Sequence, residues 1–150
     1  MGDVRITVET IADRPRASSG SPFEPVVGYC RAVRSGNLIT VSGTVGLNDD
    51  RTYPPTAGAQ ARRALAIIAA AIEALGGRLE HVVRTRMFVT DMSRWQEYGR
   101  AHGAAFGAIM PATSMIGVSA LIDPRMLVEV EAVAFRPGIG VPGPSPLEAL

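Results

Sequence analysis

The sequence predicts an α+β fold in which one mixed β-sheet carries two helices on one face. The candidate elements follow in the order strand, β-hairpin, helix, strand, helix and two further strands. Two helices can cover only one face of such a sheet, so the other face is left for solvent or another protein surface. A chain of 150 residues is long enough for a single domain with one hydrophobic core.

The N-terminal part, residues 1–26, is predicted to hold a strand and a loop. Apolar and polar residues alternate over 4–10, as in a half-buried strand. Proline, serine and glycine crowd 13–26, which indicates a loop. Two strands are predicted next, about 27–34 and 38–45, and the Gly-Asn turn between them favours a hairpin.

Two helices are predicted from apolar residues that recur every three or four positions. The first runs from about Thr56, a candidate N-cap, to Leu75, where two glycines stop it. A strand is expected over 82–90. The second helix is predicted to open with a capping box at Ser93–Gln96 and to end before Pro111.

The two last strands are predicted over 110–120 and 127–135, with a turn around Asp123-Pro124 between them. Side chains of a strand alternate between its faces, which sorts the second strand into two sets. One set is small and apolar: Val128, Val130, Ala132 and Ala134. The other set is mixed: Leu127, Glu129, Glu131, Val133 and Phe135. The domain is predicted to end at 136, and 137–150 reads as a Pro/Gly-rich tail.

Charge and composition argue against several classes of partner. The formal net charge is +1, and all fifteen basic residues are scattered arginines, so the sequence predicts neither a nucleic-acid partner nor a membrane surface. No apolar run reaches the roughly 18 residues of a membrane span, and no signal-peptide pattern is present. These features predict a soluble, cytoplasmic, globular domain.

Metal and cofactor sites are not expected either. The two histidines, His81 and His102, and the single Cys30 have no metal-ligand spacing, and one cysteine cannot form an intramolecular disulfide. No phosphate-binding loop or cofactor fingerprint is visible, so we predict that no cofactor is needed. His102 lies on the apolar stripe of the second helix, which is typical of a residue at the edge of the core, and Cys30 is expected to face the helices.

Glu129 and Glu131 stand two residues apart on one side of the last strand. Two interpretations fit this pattern: a solvated outer face, or the wall of a pocket that carries a general base. A half-buried carboxylate has a raised pKa and can carry protons near neutral pH.

The sequence resembles the Rid family, the reactive-intermediate deaminases formerly grouped with translation inhibitors and endoribonucleases. The resemblance spans about residues 24 to 136. It is carried by Gly28–Val33, Gly36-Asn37, Val41–Thr44, Arg84–Asp91, Pro111–Ser114 and Val128–Ala132. It implies a chorismate-mutase-like fold and a homotrimer, with a ligand cleft at each subunit boundary.

The resemblance also implies roles for single residues. Glu129 matches the residue that holds and activates the attacking water; otherwise it is a structural carboxylate paired with an arginine. Tyr29 matches a pocket tyrosine, with simple packing as its alternative. Ser42 matches a serine on the pocket floor and Thr44 is next on that face, unless both are ordinary strand hydroxyls. The substrate-binding set is completed by Thr113, Ser114 and Met115.

Thr113 departs from the deaminase branch of the family, which has an arginine after Pro-Ala to grip a substrate carboxylate with two parallel hydrogen bonds. Either Arg31, Arg84 or Arg86 supplies the missing charge, or the substrate has no carboxylate. Gly117 is a second departure, at a position where related chains often carry an acid.

The activity expected from the resemblance is deamination of an imine or enamine. Such a hydrolysis releases ammonia and a carbonyl product, and the departure at Thr113 indicates a substrate other than an ordinary 2-iminoacid. The alternative is a trimer that binds or senses a small molecule without catalysis. RNA cleavage has less support, because the sequence has no basic stripe and no aromatic stacking platform.

Overall fold

One seven-stranded sheet forms the centre of the computed structural model, which describes residues 3–138. The strand order is β1-β2-β3-β4-β7-β5-β6, and all neighbours are antiparallel except β5 and β6, which are parallel. The mixed sheet is therefore confirmed. The strands are β1 (Thr7–Ile11), β2 (Arg14–Ser18), β3 (Ala32–Ser35), β4 (Leu38–Val45), β5 (Val82–Val89), β6 (Ala112–Gly117) and β7 (Val128–Phe135).

Two long helices cover one face of this sheet, as predicted. They are α2 (Ala57–Ala74) and α3 (Trp95–Phe106), and a short helix α1 (Phe23–Val27) precedes them. Single 3-10 turns lie at Leu79–His81 and Met92–Arg94.

None of the helices described here is long and apolar enough to cross a membrane. Of the predicted tail, residues 139–150 lie outside the described part of the chain.

The core lies between the sheet and the two long helices. α2 begins where predicted, because the Thr56 hydroxyl accepts a hydrogen bond from the Ala59 amide at 3.2 Å. Its apolar stripe packs on the small apolar set of β7, which is buried as expected. The side chains of β7 on the opposite face, Glu129, Glu131 and Val133, are only half-buried. We call this uncovered side the open face.

The prediction of a loop over 13–26 was wrong. Arg14–Ser18 forms β2, which pairs with β1 on one side and β3 on the other. Pro15 is tolerated because it lies near the start of β2, before the pairing with β3 begins at Arg16, so its missing N–H removes no hydrogen bond to β3. The first hairpin strand starts at Ala32 rather than 27, because α1 ends at Gly28 in a left-handed conformation.

The alternation predicted for β4 breaks at a β-bulge. Val41 pairs with Ala132 and Thr44 pairs with Val130, so Ser42 and Gly43 of β4 together oppose the single residue Glu131 of β7. Both partners belong to the buried set, and Thr44 is only 1% exposed. Thr44 therefore lies on the helix side with Val41, and the prediction that it shares a face with Ser42 was wrong.

The predicted start of α3 was also wrong. Asp91 caps the 3-10 turn that precedes α3: its carboxylate accepts hydrogen bonds from the Ser93 amide at 3.0 Å and from the Ser93 hydroxyl at 2.6 Å. This closes the turn before the helix begins at Trp95, which is itself 54% exposed. The N-cap of α3 itself is Arg94, which makes no side-chain capping bond. The helix ends at Phe106, before the predicted stop at Pro111.

The last two strands are not neighbours in the sheet. β7 lies between β4 and β5, while β6 is the edge strand on the far side of β5. This arrangement leaves large apolar side chains on the open face, where Leu38, Ile116 and Phe135 are 40%, 37% and 57% exposed.

Candidate functional site

Glu129 lies on the open face of β7, directly over Gly43 of β4. A Cβ atom built on Gly43 would collide with Oε1 of Glu129. A side chain at Gly43 would push the end of the Glu129 side chain out of this position, so the bulge of β4 and the absence of a side chain together form a seat for Glu129.

The surroundings of Glu129 favour its protonated form. Partial burial raises the pKa of the Glu129 carboxyl, and the nearby Glu131 carboxylate raises it further. The Arg31 guanidinium opposes these two effects and lowers the pKa. A carboxyl whose pKa is raised toward neutrality can both accept and return a proton in one catalytic cycle.

The raised pKa predicts a particular pH dependence of stability. The folded protein holds the Glu129 proton more tightly than the unfolded chain, so stability falls as pH rises above the ordinary value of 4.5. Glu129→Gln stays neutral. The variant should therefore melt at a higher temperature than wild type at neutral pH and at the same temperature at about pH 4, below the ordinary value.

Thermal unfolding across this pH range checks the prediction. Glu73→Gln, at an exposed glutamate of α2, is the matched control and should follow wild type. Parallel curves for wild type and Glu129→Gln would show that Glu129 ionises in the fold as freely as in the unfolded chain.

Arg31 is buried beside this seat, with 4% of its surface exposed. A guanidinium has five N–H donors, and each has an acceptor here. The acceptors are Ser19 Oγ at 3.1 Å, the Gly43 carbonyl at 2.6 Å, Thr44 Oγ1 at 2.9 Å, Tyr29 Oη at 3.1 Å and Glu24 Oε1 at 3.5 Å. Arg31 therefore reaches the neighbourhood of Glu129, but it has no donors left for a substrate carboxylate.

Glu24 completes this buried network, and the sequence analysis missed it. The carboxylate is 6% exposed, pairs with Arg31 and accepts hydrogen bonds from the Ser18 hydroxyl and from the amide and hydroxyl of Ser19. Glu24 sits in a stretch rich in proline and serine, where no periodicity distinguishes a buried residue from an exposed one.

Tyr29, Cys30 and Ser42 line an open cleft of about 1120 Å³. The opposite wall is the β1–β2 hairpin, including Thr7–Glu9 and Arg16. The Ser42 hydroxyl donates a hydrogen bond to the Cys30 carbonyl at 2.7 Å, which fixes the floor. Cys30 lines the cleft and does not face the helices, contrary to the prediction, because residues 28–31 lie outside any strand and do not alternate.

Thr113 is on the other side of the sheet. It pairs in register with Thr85, which pairs with Ala132 of the buried set, so its side chain lies on the helix side. Met115 is on the same side and packs against the core. Within one chain, the predicted site residues thus form two groups on opposite sides of the sheet. Tyr29 and Ser42 line the cleft, and Glu129 lies next to Ser42, over Gly43, without lining the cleft itself. Thr113 and Met115 lie on the helix side at the edge strand β6.

Arg84 and Arg86 lie on the open face. Arg84 donates a hydrogen bond to the Ser114 hydroxyl at 3.1 Å, so Ser114 belongs to this face and not to that of Thr113. Arg86 pairs with Glu131 at 3.5 Å, and both side chains are close to half exposed.

Over residues 3–138, no three histidine, cysteine or carboxylate side chains come together as a metal site would require.

A family model described as "Endoribonuclease L-PSP" matches residues 20–136 of this chain. The chain belongs to the Rid family. Among Rid-family proteins, the 2-iminobutanoate/2-iminopropanoate deaminase of Escherichia coli is 33% identical, over 72% of this chain and 87% of the relative. An uncharacterized protein of Streptomyces coelicolor is 35% identical, over 81% of this chain and 91% of the relative.

The fold is likewise that of solved Rid-family structures. A Mycobacterium tuberculosis member of the YjgF/YER057c/UK114 family is 51% identical, with a TM-score of 0.76, over 81% of this chain and 98% of that chain. The family model starts at residue 20, after β2. The β1–β2 hairpin, which lines the cleft, therefore lies outside the part of this chain that the family model matches.

Proposed function

We propose that this protein hydrolyses an imine or enamine to ammonia and a carbonyl product. The observation that carries the proposal is the half-buried Glu129, seated over Gly43 with a raised pKa. Glu129 takes a proton from water as the water oxygen bonds to the imine carbon. It then returns the proton to nitrogen, which gives a carbinolamine. The same carboxylate next takes the hydroxyl proton and delivers it to nitrogen, so the C–N bond breaks, ammonia leaves and the carbonyl forms.

A second part of the proposal is that the working unit is a homotrimer with its ligand in a cleft between subunits. The two groups of candidate residues lie on opposite sides of one sheet, so they can share a ligand only across two copies of the chain. The apolar side chains exposed on the open face support such an interface.

Light scattering or sedimentation should therefore give a trimer at micromolar concentration. Phe135→Glu, which places a charge on the open face, should weaken the assembly, whereas Trp95→Glu on the exposed side of α3 should not. A stable monomer of the wild-type chain would contradict this part of the proposal.

A third part concerns the substrate, which we propose is not an ordinary 2-iminoacid. Thr113 offers one hydroxyl and no charge, and the donors of Arg31 are all engaged. Loss of a charge-assisted pair with a substrate carboxylate costs about 2–5 kcal/mol. We expect kcat/KM on 2-iminopropanoate or 2-iminobutanoate to be at least about tenfold below that of the Escherichia coli relative. Comparable values would refute this expectation.

The proposed activity is tested by ammonia release from two sets of imines made in situ. An amino-acid oxidase supplies 2-iminoacids, and an amine oxidase supplies imines without a carboxylate. Faster ammonia release from the second set, above the spontaneous rate, supports the proposal. Saturable ligand binding with no acceleration in either set would favour a non-catalytic binding trimer instead.

A further inference from the structure

Thr113, Thr85 and His102 form a hydrogen-bonded group that we call the hydroxyl–imidazole cluster. Thr85 Oγ1 lies 2.8 Å from His102 Nε2 and 2.7 Å from Thr113 Oγ1. Thr113 Oγ1 is also 3.4 Å from His102 Nε2 and 3.2 Å from the Pro111 carbonyl. The cluster exists because parallel pairing of β5 and β6 puts the two threonines side by side beneath α3.

The cluster runs from the core to the surface. Thr85 is fully buried, His102 is half-buried with its ring tilted against Phe106 at a centroid distance of 4.6 Å, and Thr113 is exposed. Burial lowers the pKa of His102, so the imidazole is neutral at neutral pH. Among the described residues, no charged side chain makes a hydrogen bond to this cluster. Thr113 thus presents an uncharged group where the family's deaminase branch has a guanidinium.

The direction of the hydrogen bonds in the cluster can reverse. Each hydroxyl can donate or accept, and a neutral imidazole can do either at Nε2, depending on its tautomer. When His102 donates to Thr85 and Thr85 donates to Thr113, the Thr113 hydroxyl is free to donate to the Pro111 carbonyl or to a ligand. When His102 accepts from Thr85 and Thr85 accepts from Thr113, the Thr113 oxygen keeps a lone pair for a ligand donor. A guanidinium can only donate and favours anions.

We propose that Thr113, supported by Thr85 and His102, is the specificity determinant of this protein, and that it recognises an uncharged carboxamide or carbonyl group next to the reacting carbon. A carboxamide offers both a donor and an acceptor, as the cluster requires. A substrate carboxylate would lose its hydrating water at this uncharged group and gain no charged partner in return. The inference rests on the proposed function for the position of the ligand, but its test does not need turnover.

The test compares two stable carbonyl compounds of matched shape, 2-oxobutanoate and 2-oxobutanamide. Their binding to the full-length protein is measured by calorimetry. We expect the amide to bind about tenfold more tightly than the acid. This is roughly the difference between a ligand group that makes its hydrogen bond and one that is buried without a partner. Thr113→Val, which keeps the shape but removes the hydroxyl, should abolish the preference. Thr113→Ser should retain it, and Thr113→Arg should reverse it.

His102→Phe tests the support behind Thr113, because it removes the imidazole while filling the space beside Phe106. The amide preference should fall severalfold, although Thr113 itself is unchanged. Circular dichroism confirms that each variant is folded. Equal binding of acid and amide by wild type, no binding of either, or an undiminished preference in Thr113→Val would each overturn the inference. If the preference is found but no imine is hydrolysed, the proposed catalysis fails and the inference stands.

Discussion

Replacing Glu129 with glutamine is expected to reduce ammonia release from the best imine substrate by at least about 100-fold, the contribution of a positioned general base. Glutamine keeps the size of the side chain, so it still fits over Gly43, but it cannot accept a proton from water. The loss should therefore fall on kcat and leave KM nearly unchanged. Initial rates of ammonia formation, corrected for spontaneous hydrolysis, measure both constants.

Glu131→Gln is the matched control. Glu131 stands two residues away on the same face, but it pairs with Arg86 near solvent and does not lie over Gly43. Its replacement should change kcat by no more than a few-fold. A Glu129→Gln variant that retains most of the wild-type kcat would mean that water is activated by another group and that Glu129 is structural.

The parts of the fold that could be predicted are those set by side-chain periodicity. The stripe of α2 and the two faces of β7 repeat over many residues, and each face meets one environment throughout. These periods predict that a helix covers the face of Val128 and Val130. They also predict that the face of Glu129 is left uncovered. The uncovered face is also the observation from which the sequence predicts an interface.

The errors in the fold arise where pairing between strands outweighs local preference. Arg14–Ser18 has a proline and little apolar character, yet it forms a strand because β1 and β3 supply partners on both sides. The bulge of β4 is set by its register against β7, and a single extra residue moves Thr44 to the helix side. Neither effect has a signal in the sequence of the segment itself.

The candidate site was predictable only in part, for a similar reason. Tyr29 and Ser42 are predicted site residues because their segments resemble the family, and Glu129 is predicted both from that resemblance and from the alternation along β7. The contact of Thr113 with His102 depends on parallel pairing of β5 and β6 beneath α3, which no alternation within either strand reveals. The pair of Glu24 and Arg31 joins two irregular segments, and only the structure shows that both side chains are buried.

The second large effect is expected from this buried pair. Arg31→Met should lower the free energy of unfolding by about 3–5 kcal/mol, because it leaves the Glu24 carboxylate buried without its cation. It also removes the donors to Tyr29 Oη and to the carbonyl of Gly43, the residue over which Glu129 lies. Urea unfolding at fixed protein concentration measures the change.

Arg86→Met is the matched control for this variant. Arg86 makes its ion pair at the same distance of 3.5 Å, but its side chain is 49% exposed, compared with 5% for Arg31. An exposed pair is worth about 0–1 kcal/mol, so the control should be nearly as stable as wild type. The contrast isolates burial as the cause, because both variants replace one arginine by methionine.

A double-mutant cycle separates the pair from its surroundings. Glu24→Gln removes the buried negative charge, so Arg31→Met should cost less in that background than in wild type, by about 1–3 kcal/mol. Additive costs would show that Arg31 stabilises the fold through its hydrogen bonds to Ser19, Tyr29, Gly43 and Thr44 rather than through Glu24. If Arg31→Met proved as harmless as Arg86→Met, the buried network would not stabilise the fold, and the seat of Glu129 would have to be held by the bulge of β4 without it.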